Sequence, residues 1–330
     1  MAAPNYPLKF KHIYKERLWG GSLVAHVLDA PVPSGVKIGE SWEISDRTEE
    51  NSVVANGPWA GTTLRALIEK YPQALLGPQG KSAQRFPLLI KFIGACDRLS
   101  LQVHPGDAYA REHHPGESGK TEMWYILENQ PGSELLIGFK KPQTLETIRI
   151  AVMENRFEEM VNAVVPRPDD AFFLPAGRVH SIGAGVLLAE IQQNSDVTYR
   201  VYDYGRRDVQ GAPRALHIDQ ALAVMDFNDT SEGRLPLGGR ESEGSRVRPL
   251  VADSHFLSEH ITYRQPAEGK LHQGFQVAVV TQGEGRLVFG EQFETLKRGT
   301  VLLLPAGFGA WKIVPDQPEL GILWAWVSEV

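Results

Sequence analysis

The 330-residue chain has a single cysteine, Cys96, so no disulfide can form within it. A reducing compartment fits that shortage. No apolar run approaches the roughly 18 residues that cross a bilayer as a helix. The first residues, MAAPNYPLKF, lack the apolar core of a signal peptide. There is no block of Lys and Arg, and 34 basic against 40 acidic side chains leave a formal charge of −6. That balance argues against a nucleic-acid partner. It leaves room for a small anionic substrate, because a local Arg/Lys cluster can hold a phosphate inside an acidic protein. The shortages together lead us to expect a cytoplasmic protein with neither membrane nor nucleic acid as partner. Hydrophobic residues at 42% and charged residues at 22% exclude a disordered chain.

The apolar runs that are present are short. Phe86–Ile93, Ala171–Leu174, Val186–Ile191, Phe275–Thr281 and Thr300–Leu304 are separated by turns drawn from 32 Gly and 22 Pro. Such runs predict a mainly β chain, an antiparallel sandwich or barrel. Leu64, Leu67, Ile68 and Tyr71 fall on a helical stripe, with Thr63 as N-cap and Pro72 as stop. Phe157, Met160, Val161 and Val164 repeat that spacing and predict another helix. Leu145, Ile148 and Val152, and then Ile218, Leu222 and Met225, predict two more. All read as core-facing stripes. Asp229–Ser245 is polar, Gly-rich and without period, and is the expected linker between a domain over residues 1–235 and a smaller β domain over 236–330. One repeat stands out. DAFFLPAGRVH (Asp170–His180) and TVLLLPAGFGA (Thr300–Ala310) each run a buried strand into a Pro-Ala-Gly turn. That suggests two copies of one β unit, with His180 replaced by Ala310 in the second.

Gln102 and His104 are two apart in a strand-like stretch, so their side chains share a side. Glu122 returns beyond a loop. His180 follows a turn stiffened by Pro175 and Gly177. Two imidazoles, a carboxylate and an amide oxygen suit Zn2+, Fe2+, Mn2+ or Co2+, and are too rich in nitrogen for a Ca2+ or Mg2+ cage.

Pro175-x-Gly177-x-x-His180 resembles the second motif of the cupin superfamily, and Gln102-x-His104 with Glu122 resembles the first. Leu99–Leu127 is more specifically similar to the signature of type I phosphomannose isomerases. So are KERLWGG from Lys15, GESWEIS from Gly39 and EIQQNSDVTYR from Glu190. The resemblance implies two cupin-like, jelly-roll β-barrels, with a few helices on the first and no metal in the second. It implies one zinc ion (Zn2+) per chain on Gln102, His104, Glu122 and His180. It also implies interconversion of mannose 6-phosphate and fructose 6-phosphate through a cis-enediol. Arg200 closes the Ser-Asp-x-x-x-Arg segment and matches an active-site arginine. Lys120, two before Glu122, is a candidate acid/base or phosphate contact. The chain resembles the short bacterial form, because Glu122 to His180 is too short a span for the helical insertion of the long forms. Arg206 falls where those forms carry a lysine.

Glu190, alone on an apolar run, is either the proton-transfer base or a satisfied polar residue facing inward. Asp203 and Arg206 are candidate substrate contacts whose plain alternative is a solvated turn. Trp19 either fills core or lines the sugar pocket. His113 and His114 read as surface. A second reading with the same chemistry is a cupin-type glucose 6-phosphate isomerase; readings from other classes are a non-catalytic sugar-binding or regulatory cupin and a dioxygenase. The assembly is expected to be a monomer or weak homo-oligomer.

Overall fold

The computed structural model describes residues 2–28, 31–81, 85–207, 211–269 and 272–327. Eleven strands precede residue 230. They are β1 (Ile13–Gly21), β2 (Ile38–Ile44), β3 (Leu88–Ala95), β4 (Leu101–Val103), β5 (Glu122–Asn129), β6 (Leu135–Phe139), β7 (Val161–Val164), β8 (Ala171–Leu174), β9 (His180–Ile182), β10 (Val186–Gln193) and β11 (Tyr199–Tyr202). Ten follow: β12 (Arg240–Ser242), β13 (Ser245–Ala252), β14 (Leu257–Tyr263), β15 (Ala267–Glu268), β16 (Gln276–Gln282), β17 (Glu284–Phe289), β18 (Gln292–Lys297), β19 (Val301–Leu304), β20 (Lys312–Pro315) and β21 (Leu320–Trp326).

The first set forms a sheet β1-β2-β3-β10-β5-β8 and a sheet β11-β4-β9-β6-β7. The second forms β12-β13-β14-β21-β16-β19 and β15-β20-β17-β18. Adding eleven to each strand number turns the first pair into the second, apart from β11, which has no counterpart. The duplication expected from one Pro-Ala-Gly repeat therefore extends to the whole strand order. The chain is mainly β and antiparallel, and none of the four sheets closes into a barrel.

Each pair of sheets shares a core. Ile93, Trp124, Ile126 and Leu188 of the larger sheet meet Leu135, Ile137 and Ile182 of the smaller. In the second half Ile261, Ile322 and Trp324 meet Leu287, Leu296 and Ile313. The two large sheets also pack back to back. Ile90, Phe92, Leu187, Ala189 and Ile191 pack with Val277, Val279, Leu303 and Leu323 in one core. Strand β10 thus sends Val186 and Leu188 one way and Leu187, Ala189 and Ile191 the other. Burial on both faces explains why its sequence, VLLAEIQQ, does not alternate.

Three helices, α1, α4 and α5, fit the expected places. Thr63 caps α1 (Leu64–Lys70) by accepting from the Ala66 N–H. Pro72 does stop α1, but it also opens α2 (Pro72–Leu76) at the position where its missing N–H costs nothing. The helices α4 (Leu145–Met153) and α5 (Ile218–Val224) cover the outer face of the smaller sheet through Ile148, Ala221 and Leu222. Leu145 departs from its expected core position and is 45% exposed. The helix expected from Phe157 to Val164 is instead one 3-10 turn, Phe157–Met160, followed by β7. Val161 and Val164 face opposite cores, as residues three apart in a strand must. Asn162 fixes the strand by donating to the Ile137 and Phe139 carbonyls. The expected linker is not a free tether either. Its Gly233 accepts from Phe173 N–H, Leu235 donates to Ala171, and Arg240–Ser242 is already strand β12. This backbone pairs with the edge strand β8.

Candidate metal centre and active-site cavity

Strands β4 and β9 are paired with Gln102 opposite His180. The His104 carbonyl accepts from Gly177 N–H, which ties the two ligand segments together directly. Gly177 has φ +89°, which favours glycine. Glu122 enters from the facing sheet as the first residue of β5. The loop between the metal segments holds a short helix, α3 (Asp107–His113), and closes at Gly119. A Cβ there would lie 2.5 Å from the Asp107 nitrogen, so only glycine lets the chain return this close.

These elements bring His104 Nε2 to 3.5 Å from Glu122 Oε2 and His180 Nε2 to 3.3 Å from Glu122 Oε1. All three side chains are buried. His104 Nε2 and both carboxylate oxygens of Glu122 have no hydrogen-bond partner. Three buried polar atoms are rarely orphaned together unless another group satisfies them. The imidazoles are oriented from behind. Nδ1 of His104 lies 3.0 Å from the Val197 carbonyl and Nδ1 of His180 lies 2.9 Å from the Arg178 carbonyl. Donation from Nδ1 leaves each Nε2 lone pair facing Glu122, as metal-binding histidines require. Burial holds both imidazoles below their usual pKa; the charges of Lys120 and His180 lower His104 further, while Glu122 opposes the effect on His180. Lowered in this way, both rings favour the neutral form, the form a metal would need. The Gln102 amide stands 3.3 Å from His180 Nε2, and turning its oxygen that way completes the set. Among the described residues, His104, Glu122 and His180 form the one group of three side chains from His, Cys, Asp and Glu that could hold a metal ion. Such a donor set fits a transition metal.

Beside it lies a cavity of about 320 Å³ between the two sheets. Gln102, Lys120, Glu190, Arg200 and Trp19 all line it. Lys120 Nζ is 3.3 Å from Glu122 Oε2, and the residue is 4% exposed. Glu190 is buried; its Oε1 accepts from Trp124 Nε1 at 2.7 Å and its Oε2 pairs with Lys91 Nζ at 2.5 Å. Lys91 was not apparent in the sequence. Burial lowers its amine to about 8, with the field of Glu40 opposing and that of Lys120 adding. Glu40 is pushed up by burial, yet Lys91, Arg17 and a hydrogen bond from Trp42 Nε1 hold it at about 2. Trp19 both lines the cavity and belongs to the core behind it.

Arg200 sits across from Gln102 in the β11–β4 ladder. One guanidinium nitrogen donates to the Ala215 carbonyl at 2.9 Å, and Nε is buried without a partner. Asp203 is not a solvated turn residue. It is 4% exposed and gathers Arg206 and Arg214 on its carboxylate. Asp203 and Arg206 do not line the cavity, whereas Arg214 does. Of the paired histidines, His113 is on the surface, but His114 is half-buried with Nε2 2.6 Å from the Tyr199 hydroxyl. Asp107 in α3 reaches the other half through His255 at 3.0 Å.

This arrangement defines a duplicated antiparallel-β protein with a buried His2Glu group that could hold a metal, beside a cavity lined by charges of both signs. Residues 8–145 match the model of the phosphomannose isomerase type I catalytic domain. The chain is 37% identical over 307 residues to mannose-6-phosphate isomerase ManA of Bacillus subtilis (strain 168), covering 93% of this chain and 95% of that one. It is 33% identical to mannose-6-phosphate isomerase of Streptococcus mutans, covering 94% and 96%. The crystal structure of the mannose 6-phosphate isomerase from Bacillus subtilis superposes with a TM-score of 0.89 at 30% identity, over 97% of this chain and 99% of that one. The chain belongs to the type I phosphomannose isomerase family. No helix among the described residues is long and apolar enough to cross a membrane.

Proposed function

We propose that the protein interconverts mannose 6-phosphate and fructose 6-phosphate in this cavity, with zinc on Gln102, His104, Glu122 and His180. The reaction moves one proton between C2 and C1 and another between the two sugar oxygens. Bound zinc would supply Lewis acidity toward those oxygens. The chain supplies the rest. Glu190 carries the carbon-bound proton, and Lys91 beside it keeps the carboxylate ionised between transfers. Lys120, buried next to Glu122, stabilises negative charge developing on the sugar oxygens. Arg200 and Arg214 take the phosphate, with Asp203 holding Arg214 in place and Arg206 acting only through Asp203. Trp19 and Trp124 wall the cavity and exclude water, which strengthens every charge interaction inside it.

The observation that carries this reading is the orphaned His104 and Glu122 atoms standing next to a cavity lined by the buried Lys91–Glu190 pair. We further infer that the two sheet pairs are two cupin-like units, divided at about residue 235. The expected setting is cytoplasmic, with a monomer or weak homo-oligomer. A coupled assay on metal-replete protein should show turnover of mannose 6-phosphate, little turnover of glucose 6-phosphate, and loss of activity on chelation with recovery on zinc. Absence of turnover with metal bound would end the enzyme reading. Equal rates on the two aldoses would transfer it to the glucose alternative.

A further inference from the structure

A second cavity, of about 380 Å³, lies where the two halves meet, away from the metal centre. The first half contributes Tyr125, Pro168 and Asp169, and the second contributes Arg246, Arg248, His260 and Arg264. Arg246 and Arg248 alternate on β13 and so face the same side. Arg248 is 5% exposed. Its Nε donates to the Pro236 carbonyl at 2.8 Å and its Nη1 to the Asp169 carbonyl at 2.6 Å, while its Nη2 is buried with no partner. Among the described residues, no carboxylate lies within ion-pair distance of Arg246 or Arg248. The two carboxylates that line the cleft are already engaged. Asp169 accepts from the Tyr125 hydroxyl at 3.0 Å, and Glu319 accepts from Arg264 at 2.9 Å. His260 stacks on Tyr125 at 4.9 Å and is neutral. Burial, with the charges of Arg248 and Arg246, takes its imidazole down to about 3.

A buried guanidinium with an unmet donor and no ion pair, offset only by the more distant charges of Asp170 and Asp169, is costly, and the cost is relieved by an anion. We propose that this cleft binds a small tetrahedral oxyanion of the phosphate class, held by Arg248 and Arg246 and bridging the two halves. The volume admits free phosphate or the phosphoryl end of a sugar phosphate. Tyr125 lies three residues beyond the metal ligand Glu122 on β5, so occupancy bears on the strand that carries the ligand.

Calorimetric titration of metal-replete, full-length protein with inorganic phosphate tests the assignment. The cleft component should survive Arg200→Ala, which disables the substrate cavity. It should weaken at least fivefold in Arg246→Ala, with kcat unchanged, and vanish in Arg248→Met. If Arg248→Met does not fold, Arg246→Ala combined with Arg200→Ala decides alone. Titrating Arg200→Ala with fructose 6-phosphate separates the sources: phosphate binding tighter than the sugar phosphate identifies the free ion, and the reverse identifies a phosphomonoester. Loss of all phosphate binding in Arg200→Ala, or identical isotherms for Arg246→Ala and wild type, overturns the proposal.

Discussion

The two halves hold the same strands in the same order around cavities lined by different chemistry. Registers align them residue by residue. Glu122 pairs with Leu174, and Gln276 pairs with Leu304 at the same place in the second half. Lys91 and Trp124 flank Glu190 across β3, β10 and β5, and Glu259 and Ala278 flank Trp324 across β14, β21 and β16. The carboxylate of Glu122 is replaced by the amide of Gln276, the buried cation Lys91 by the carboxylate Glu259, and Glu190 by Trp324. Trp324 stacks on Trp311 at 5.0 Å, and both line the separate cavity of the second half, of about 490 Å³. Backbone pairing tolerates such exchange, because ladder hydrogen bonds do not depend on the side chains. Chemistry does not tolerate it, because ligands must converge within a few ångströms.

The largest contrast is expected at the metal. His104→Ala or His180→Ala should lower kcat/KM by about 10³-fold or more and abolish metal retention, since three protein donors no longer converge. Gln276→Ala in the second half should leave both unchanged. Metal analysis after dialysis reads the difference, and full occupancy in either His variant would remove that residue from the ligand set. Next in size is the buried pair. Lys91→Met should reduce kcat by about 10²–10⁴-fold with metal still bound, the range lost with a positioned acid–base partner. Its counterpart Glu259→Gln should change kcat less than twofold, and equal losses at the two positions would break the comparison. The smallest effect is on stability against pH. The folded-state pKa of Lys91, about 8, lies below its ordinary 10.5. Between those values the unfolded chain binds the extra proton, so this residue makes stability rise with pH from about 8 to 10.5. Urea unfolding across that window should rise less steeply in Lys91→Met, and identical slopes would show that Lys91 is not held below its usual pKa.

The candidate group of Gln102, His104 and His180 could be read in the sequence because its marks are local. Gln102 and His104 are two apart, and His180 stands after a Pro-Gly turn. The pair beside it could not, since Lys91 and Glu190 are about a hundred positions apart and meet only through the β3–β10 register. A signal was present: each is the lone charge in an apolar run, LLIKFIGA and VLLAEIQQ, and the signs are opposite. Arg214 carried no such mark, since the chain around it is irregular and Asp203 recruits it from 11 residues away. The Phe157–Val164 stripe misled because spacings of three, four and seven serve a turn followed by a strand as well as a helix. The single Pro-Ala-Gly repeat revealed the duplication, but the full strand correspondence is written in hydrogen bonds rather than in residue types.

Strand β10 is a party wall. Glu190 faces the cavity while Ala189 and Ile191, on either side of it, lie in the core shared with the second half. The second half is thus the foundation on which the geometry of the cavity in the first half rests. Cutting the chain near residue 235 would lay bare the back of the large sheet, and the cut protein would lose solubility before its chemistry could be measured. Wear in the second half, whether from heat, denaturant or a core substitution at Val279, would be felt first as a loosening of the metal centre. In this chain, durability and catalysis are tenants of the same sheet.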